Sequence, residues 1–331
     1  MSRKFRFIFL MMCTAIMVMA MTVSVFAKAD QEVAYYEVGQ PAVLSSPVNI
    51  KFVVDTKKIG NSSSTAVSQV YDVTINTDMD GIPGVTVRDA ILSWIAQTSD
   101  VAVYDHGNSF MQTSQYVTSI KIGNNTYTPN LPYEEDALDG FSFRVNGKIP
   151  LLTTSSAAHA YGPEGAYVHQ TPVSDGDVIH FYWNYPYNET DSSYYSANFV
   201  SVTPAYNSTT DTLSIQLVRS FDYEYNDGFW HIMPFACTSC VPAGSYNYTI
   251  WKKNQNTSGT TNPFEVVDTG SVETNNGGVG AITNLSLSAG VTYYIQIDTQ
   301  SYKGIYNEDL GSDVYIVDNT KVFEKFSITT E

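Results

Sequence analysis

Two clusters of aromatic residues interleaved with polar side chains have the residue types that bind sugars. The first occupies residues 181–195, and the second, residues 221–230, includes carboxylates among its rings. Aromatic rings can stack on the apolar C–H faces of a sugar while carboxylates accept hydrogen bonds from its hydroxyls. We favour a structural interpretation of both clusters, because half of the side chains in an alternating strand point inward and would form the core edge and the interface between domains.

Two closely spaced cysteines, Cys237 and Cys240, form a Cys-x-x-Cys pair. In an oxidising compartment such a pair most simply forms one small disulfide loop. A redox-active pair would need a strand-to-helix context, and a zinc site would need two further ligands at matching spacing. Neither accompanies the pair, so we predict a structural disulfide between Cys237 and Cys240.

Neither a metal site nor a catalytic centre has a complete sequence motif. Residues 76–81 resemble the first half of a calcium loop, but the twelfth position, which needs a bidentate Glu, is Val87. No His-Glu-x-x-His motif and no Gly-x-Ser-x-Gly elbow occurs. The histidines are His106, His159, His169, His180 and His231. We therefore predict no metal, no catalytic residues and no enzymatic activity; a secreted hydrolase is the alternative, because distant residues can assemble a triad.

The charge balance excludes a nucleic-acid-binding protein. The chain has 17 Lys and Arg against 33 Asp and Glu, a net charge of −16, and it cannot neutralise a run of phosphates. With 43% hydrophobic residues it can still bury a sizeable core.

Residues 1–27 have the pattern of a secretory signal peptide. Arg3, Lys4 and Arg6 precede an apolar run, and Ala27 completes a small-residue cleavage site. An uncleaved membrane anchor is the alternative, because the run is nearly long enough to cross a bilayer. No second apolar run follows, so we expect no membrane span in the mature chain. The pattern predicts an acidic protein that is secreted or held at the cell surface.

After a polar lead-in, residues 28–47, the pattern predicts a small mixed domain over residues 48–188. Thr86 can cap a helix whose apolar positions between residues 87 and 95 fall on one face. The other segments alternate with period two, and Asn146-Gly147 is a strong signal of a two-residue hairpin turn.

The segment 198–331 has a different pattern. Short runs rich in β-branched and aromatic residues are separated by clusters of Asn, Gly, Ser and Thr, with no helical period between them. This spacing is typical of an all-β, immunoglobulin-like sandwich domain.

Four stretches of the first predicted domain occur in an order typical of one family. They are Gly84–Ile91, Tyr116–Ile120, Gly140–Gly147, and Gly165–Tyr167 leading to Val173–Ile179. Together, over about residues 70–185, they resemble the transcobalamin C-terminal-like domain, a module of vertebrate cobalamin carriers and of many secreted or surface proteins of Gram-positive bacteria. The resemblance implies an α+β, β-grasp-like domain with one main helix, in an extracellular protein of bacterial origin.

In the cobalamin carriers, this module forms the corrinoid site together with a large helical domain. The present sequence has no helical segment of that size, so the resemblance implies the fold more strongly than it implies the ligand. We therefore predict no cofactor, with a corrinoid as a less favoured ligand.

These observations predict a non-enzymatic extracellular binding protein whose ligand is a glycan, a small molecule or a surface protein. The alternative is a structural or adhesive subunit whose strand edges pair between copies. Hairpin ends and domain junctions are where a β module presents side chains. The predicted ligand-binding residues are accordingly Phe141, Phe143, Asn146, Tyr182, Trp183 and Tyr185.

Overall fold

The computed structural model describes residues 35–39, 47–56, 68–76, 84–128, 140–153, 164–184, 195–226, 229–237, 243–254, 263–307 and 312–328. Over these ranges the chain is mostly β-strand and has one helix, α1 (Val87–Gln97). The predicted β-rich chain with one main helix is therefore confirmed. The strands before residue 190 are β1 (Tyr35–Glu37), β2 (Val48–Asp55), β3 (Ser68–Ile75), β4 (Val101–Asp105), β5 (Asn108–Ser109), β6 (Ser119–Ile122), β7 (Asn125–Tyr127), β8 (Gly140–Val145), β9 (Ile149–Thr153), β10 (Glu164–Gly165) and β11 (Val178–Asn184).

Helix α1 begins where the sequence predicts. The Thr86 side chain accepts a hydrogen bond from the backbone N–H of Asp89, and the Asp89 carboxylate accepts one from the backbone N–H of Thr86 at 2.9 Å. This reciprocal capping box satisfies two N–H groups that a helix start otherwise leaves without partners. Further along the helix, the Trp94 ring is buried 5.0 Å from the ring of Phe52 on β2. The helix is thereby anchored on a four-stranded sheet.

That sheet has the strand order β3-β2-β11-β8. Its central strands β2 and β11 run parallel, while β3 and β8 are antiparallel to their neighbours. Because side chains alternate along each strand, one face is apolar and packs on α1. The buried residues of this core include Ile50, Phe52, Val73, Ile75, Ile91, Trp94, Val145, Ile179 and Phe181. Two smaller sheets, β1-β9-β10 and β5-β4-β6-β7, complete the first unit.

The predicted tight turn at the end of β8 is confirmed. Asn146 and Gly147 both have positive φ, 51° and 74°, which a two-residue hairpin turn of the primed type requires. The turn leads back into β9, and Val145 exchanges both backbone hydrogen bonds with Lys148.

The second unit is all β, as the sequence predicts. Its strands are β12 (Tyr195–Asn207), β13 (Thr212–Asn226), β14 (Phe229–Cys237), β15 (Gly244–Lys253), β16 (Phe264–Thr274), β17 (Val279–Ile282), β18 (Thr292–Asn307) and β19 (Ser312–Ser327). The pairings run β12-β13-β17-β16-β15-β18, and β18 pairs again with β12, so the sheet is a nearly closed barrel. The barrel is least complete between β16 and β17, whose only registered pair is Thr274 with Gly280.

The face of the first sheet opposite α1 packs on this barrel. Val53 and Val178 form one buried cluster with Phe264, Tyr294 and Phe323. Lys51, which alternates with the apolar core positions on β2, therefore lies beneath the second unit instead of facing solvent.

A lysine is buried at this junction. Lys51 is 1% exposed, and its ammonium lies 2.6 Å from a carboxylate oxygen of Asp72 on β3. The same ammonium lies 3.7 Å from the ring centre of Trp251 and 4.4 Å from that of Phe264. Burial lowers the pKa of Lys51, and the charge and hydrogen bond of Asp72 oppose that effect. The barrel thus supplies two ring faces to a cation of the first sheet.

The turn before β11 makes the other polar contacts of the junction. The Tyr294 hydroxyl donates a 2.6 Å hydrogen bond to the carbonyl oxygen of Gly176. On either side of it, Lys253 pairs with Asp175, and Lys325 lies 3.4 Å from Asp177. Gly176 has a φ of 84°, and a Cβ there would lie 2.6 Å from the Tyr294 hydroxyl, so only glycine fits without rearrangement.

Within the described residues, no helix is long and apolar enough to span a membrane.

Candidate ligand-binding site

The structure places the predicted ligand-binding residues of β8 on the helix-facing side of the sheet. The rings of Phe141 and Phe143 are half-buried and lie 5.9 and 6.0 Å from the ring of Phe181, at interplanar angles of 29° and 5°. Both side chains pack against the core beneath α1. They stabilise the sheet and present little free ring surface.

Tyr182 lies on the opposite face of the sheet. Its side chain is 1% exposed, and its ring contacts His180, 5.6 Å away. Burial raises the pKa of Tyr182, and the charge of Arg144 and a hydrogen bond with it oppose that effect. The side chain of Trp183, and Tyr185 as a whole, lie outside the described residues, so their part in a ligand site stays a prediction.

Asn146 fastens the hairpin turn to the start of β11. Its side-chain amide donates to Asp177 at 2.8 Å, and its amide oxygen accepts from the backbone N–H of Val178 at 3.0 Å. Both the NH₂ group and the carbonyl oxygen of the Asn146 side chain are therefore engaged within the protein. The contacts that the structure gives Asn146 are therefore those of a turn residue.

The predicted disulfide and calcium loop lie largely outside the described residues. Cys237 ends β14, and Cys240 is not described; of the acidic loop only Asn76 is described. Among the residues that the structure does describe, no group of three His, Cys, Asp or Glu side chains has the arrangement of a metal site.

The structure brings together four other rings at the surface of the first unit. His106 lies 6.0 Å from Tyr116, Tyr116 lies 5.2 Å from Tyr167, and Tyr167 lies 5.8 Å from His169, measured between ring centres. The first two contacts are edge-to-face, and the third is stacked at 11°. We call these four residues the ring row. Tyr116 is 46% exposed and His106 is also exposed, whereas Tyr167 and His169 are half-buried.

One turn of helix positions both loops that carry the ring row. The buried Arg88 guanidinium donates from Nε to the carbonyl of Ser114 at 2.6 Å and from Nη1 to that of Gln112 at 2.8 Å. These bonds hold the loop that carries Tyr116. The backbone N–H groups of Val87 and Arg88 donate, each at 3.0 Å, to the carbonyls of Thr171 and Val168, and hold the second loop. The site is thus preorganised by the same capped helix start that the sequence predicts.

The arginine also sets the charge state of one ring. Burial lowers the pKa of His169, and the neighbouring Arg88 charge lowers it further. His169 is accordingly neutral at pH 7 and stacks on Tyr167 as an uncharged ring.

The two loops of the ring row carry no charged side chain of their own, and the nearest carboxylate the structure gives the row is that of Asp105, 3.4 Å from Nε2 of His106. Residues 106–118 and 166–172 contain no Asp, Glu, Lys or Arg. The first of these loops exposes amide and hydroxyl side chains: Asn108, Ser109, Gln112, Thr113 and Gln115. The same loop carries Met111, 62% exposed. Chemically, the surface offers ring faces with neutral donors and acceptors nearby.

Strand and helix periodicity do not predict the ring row. Its members come from two loops far apart in the chain, and loop residues follow neither the period of a strand nor that of a helix. A partial signal exists, because Tyr116 and Tyr167 both fall within the stretches that carry the family resemblance.

Comparisons of the chain with models of known protein families, with curated proteins and with solved structures found no match.

Proposed function

We propose that this chain is a non-enzymatic extracellular binding protein, secreted or held at the cell surface, and that the ring row is its ligand-binding surface. The observation that carries the proposal is a cluster of four aromatic and imidazole rings on loops that Arg88 and the helix start hold in place. Tyrosines are among the residue types that contribute most to binding interfaces, and loops held in place lose little conformational entropy on binding.

The compartment in this proposal rests on the signal-peptide pattern of residues 1–27 and on the acidic composition. The bacterial, surface-associated setting rests on the resemblance to the transcobalamin C-terminal-like domain.

We further propose that residues 48–188 form a β-grasp-like module and that residues 198–331 form an immunoglobulin-like domain. A mixed sheet with a parallel central pair and one helix across a single face supports the first assignment. Antiparallel pairing throughout the second unit supports the other, although the strands of that unit pair in one nearly closed sheet and not in the two sheets of a sandwich.

Replacing Tyr116 with Ala is expected to weaken ligand binding strongly. The ring lies in the middle of the row and contacts rings on both sides, and removal of such a central tyrosine lowers affinity at least about tenfold. The measurement is the shift in unfolding temperature of residues 28–331 caused by soluble glycans, corrinoids and haem, in wild type and variant.

Tyr116→Phe is the matched control, because it keeps the ring and removes only the hydroxyl. We expect it to retain most of the shift, and the unfolding temperature without ligand to be similar in all three proteins. A ligand that shifts wild type and Tyr116→Ala equally binds elsewhere, and would remove the ring row from the proposal.

A structural or adhesive subunit is the second candidate function, and the open side of β16 favours it. Among the described strands, β16 pairs on its outer edge only at Thr274, and Val266 and Val267 are exposed. An open strand edge can pair with another chain. A register shift near Val267 and the carboxylate of Asp268 both disfavour such pairing, and this candidate therefore ranks second.

Light scattering over a range of protein concentrations separates the two candidates. The binding-protein proposal predicts one monomeric mass at every concentration. Growth of ordered polymers with concentration, abolished by Val266→Lys, would instead support the assembly role. Thr126→Lys, at an exposed position of β7, is the matched charge control and is expected to leave any polymer growth unchanged.

A further inference from the structure

We infer that the ligand of the ring row is an uncharged oligosaccharide bound along the row over at least three sugar residues. The inference rests on the proposed function and names its ligand class. It follows from the spacing of the rings, the chemistry of the loops and the charge of the chain.

The spacing between successive rings of the ring row is regular. Successive ring centres are 6.0, 5.2 and 5.8 Å apart. Ring centres at such a repeat suit a linear ligand made of repeating units.

The surrounding side chains fit hydroxyl groups. A sugar hydroxyl both donates and accepts hydrogen bonds, and amides and hydroxyls can do the same. The loop of Tyr116 exposes Asn108, Gln112 and Gln115 for this purpose. Tyrosine and histidine rings combine an apolar face, which can cover the C–H groups of a sugar, with a polar atom at the rim.

Charge selects against anionic glycans. The chain carries a net charge of −16, the two loops of the row contribute no charged side chain, and the Asp105 carboxylate lies 3.4 Å from Nε2 of His106. The nearest buried cation, Arg88, donates hydrogen bonds to two backbone carbonyls and holds a loop in place. Long-range repulsion therefore disfavours polyuronates and phosphate-containing polymers, while a neutral glycan binds without that cost.

The test is calorimetric titration of residues 28–331 with glucose, N-acetylglucosamine, mannose, xylose and galactose, each as the monosaccharide and as the β-1,4-linked tri- and tetrasaccharide. The charged comparison is the galacturonic acid series. For the neutral sugar that binds, we expect affinity to rise by about tenfold for each further ring that is covered, and to level off at three or four residues. Galacturonate oligomers are expected to bind at least about tenfold more weakly than the neutral oligomer of the same length at low salt.

Two variants link the length dependence to the row. Tyr167→Ala removes an inner ring and is expected to reduce the affinity of the tetrasaccharide to that of a shorter oligomer, while the affinity of the monosaccharide changes little. Thr126→Ala, at an exposed position of β7 outside the two loops of the row, is the control and is expected to change neither affinity.

The outcomes separate the inference from the proposed function. Equal affinity for the mono- and tetrasaccharide, preference for the galacturonates, or a corrinoid that binds in a Tyr116-dependent way would each overturn the inference and leave the binding function standing. Binding of none of these sugars, together with no Tyr116-dependent shift from corrinoids or haem, would overturn both.

Discussion

Asp72→Asn is expected to lower the free energy of unfolding by about 3 kcal/mol, because it leaves a buried ammonium without its carboxylate. Lys51 is 1% exposed and lies 2.6 Å from Asp72, whose own side chain is 28% exposed. The substitution keeps the shape of the side chain and removes only its charge. Trp251 and Phe264 still face the ammonium, but ring faces alone compensate for only part of the lost interaction.

Lys51→Met removes the buried charge and is expected to change the free energy of unfolding by less than about 1 kcal/mol, since an apolar side chain of similar volume needs no counter-ion. In the Lys51→Met protein, Asp72→Asn is expected to change the free energy of unfolding only slightly. Urea unfolding of the two single variants and the double variant forms a cycle that measures the coupling directly. A coupling energy near zero would show that the ion pair does not stabilise the junction.

The stability of the protein is expected to fall steeply as the pH drops below 6.5, and His180 is expected to cause much of the loss. His180 is buried, and burial together with the Arg144 charge lowers its pKa to about 3. Arg144 lies directly opposite it on β8, and Val53 lies opposite on β2. Tyr182 contacts its ring.

The sign of the effect follows from proton binding. Below pH 6.5 the unfolded chain protonates this histidine, whereas the folded chain excludes the proton until the pH approaches 3. His180 therefore contributes its full stabilisation above pH 6.5, and that contribution falls by about 1.4 kcal/mol per pH unit on acidification.

His180→Gln removes this titration. We expect wild type to lose about 2 kcal/mol more than the variant between pH 6.5 and 5, as measured by urea unfolding at each pH. Thr126→Gln, at an exposed position of β7 that does not titrate, is the control and is expected to leave the wild-type slope unchanged. Parallel pH profiles for wild type and His180→Gln would show that His180 is not the responsible group.

The elements of this fold that local chemistry determines could be predicted from the sequence. The capping box at Thr86 and the apolar stripe that follows it specify α1 without reference to the rest of the chain. Asn146-Gly147 specifies its turn because few other pairs adopt positive φ at both positions.

What covers each face of a sheet could not be predicted. Alternation on β2 separates Ile50 and Phe52 from Asn49 and Lys51, but the same pattern describes a strand with one solvated face and a strand with a polar face under another unit. Only tertiary packing brings Trp251 and Phe264 over Lys51. For the same reason the aromatic run around Phe181 suggested a site, whereas its described rings pack inside the protein and the exposed rings come from loops.

The parallel pairing of β2 and β11 determines how the first unit responds to a pulling force. The chain enters this pair at Val48 and leaves it at Asn184, and because the strands run in the same direction these two points lie at opposite ends of the ladder. Tension between them shears all the registered pairs, from Lys51–Val178 to Asp55–Tyr182, at the same time. An antiparallel pair loaded from one end would instead open one bond after another. We therefore expect the first unit to resist unfolding when Val48 and Asn184 are pulled apart.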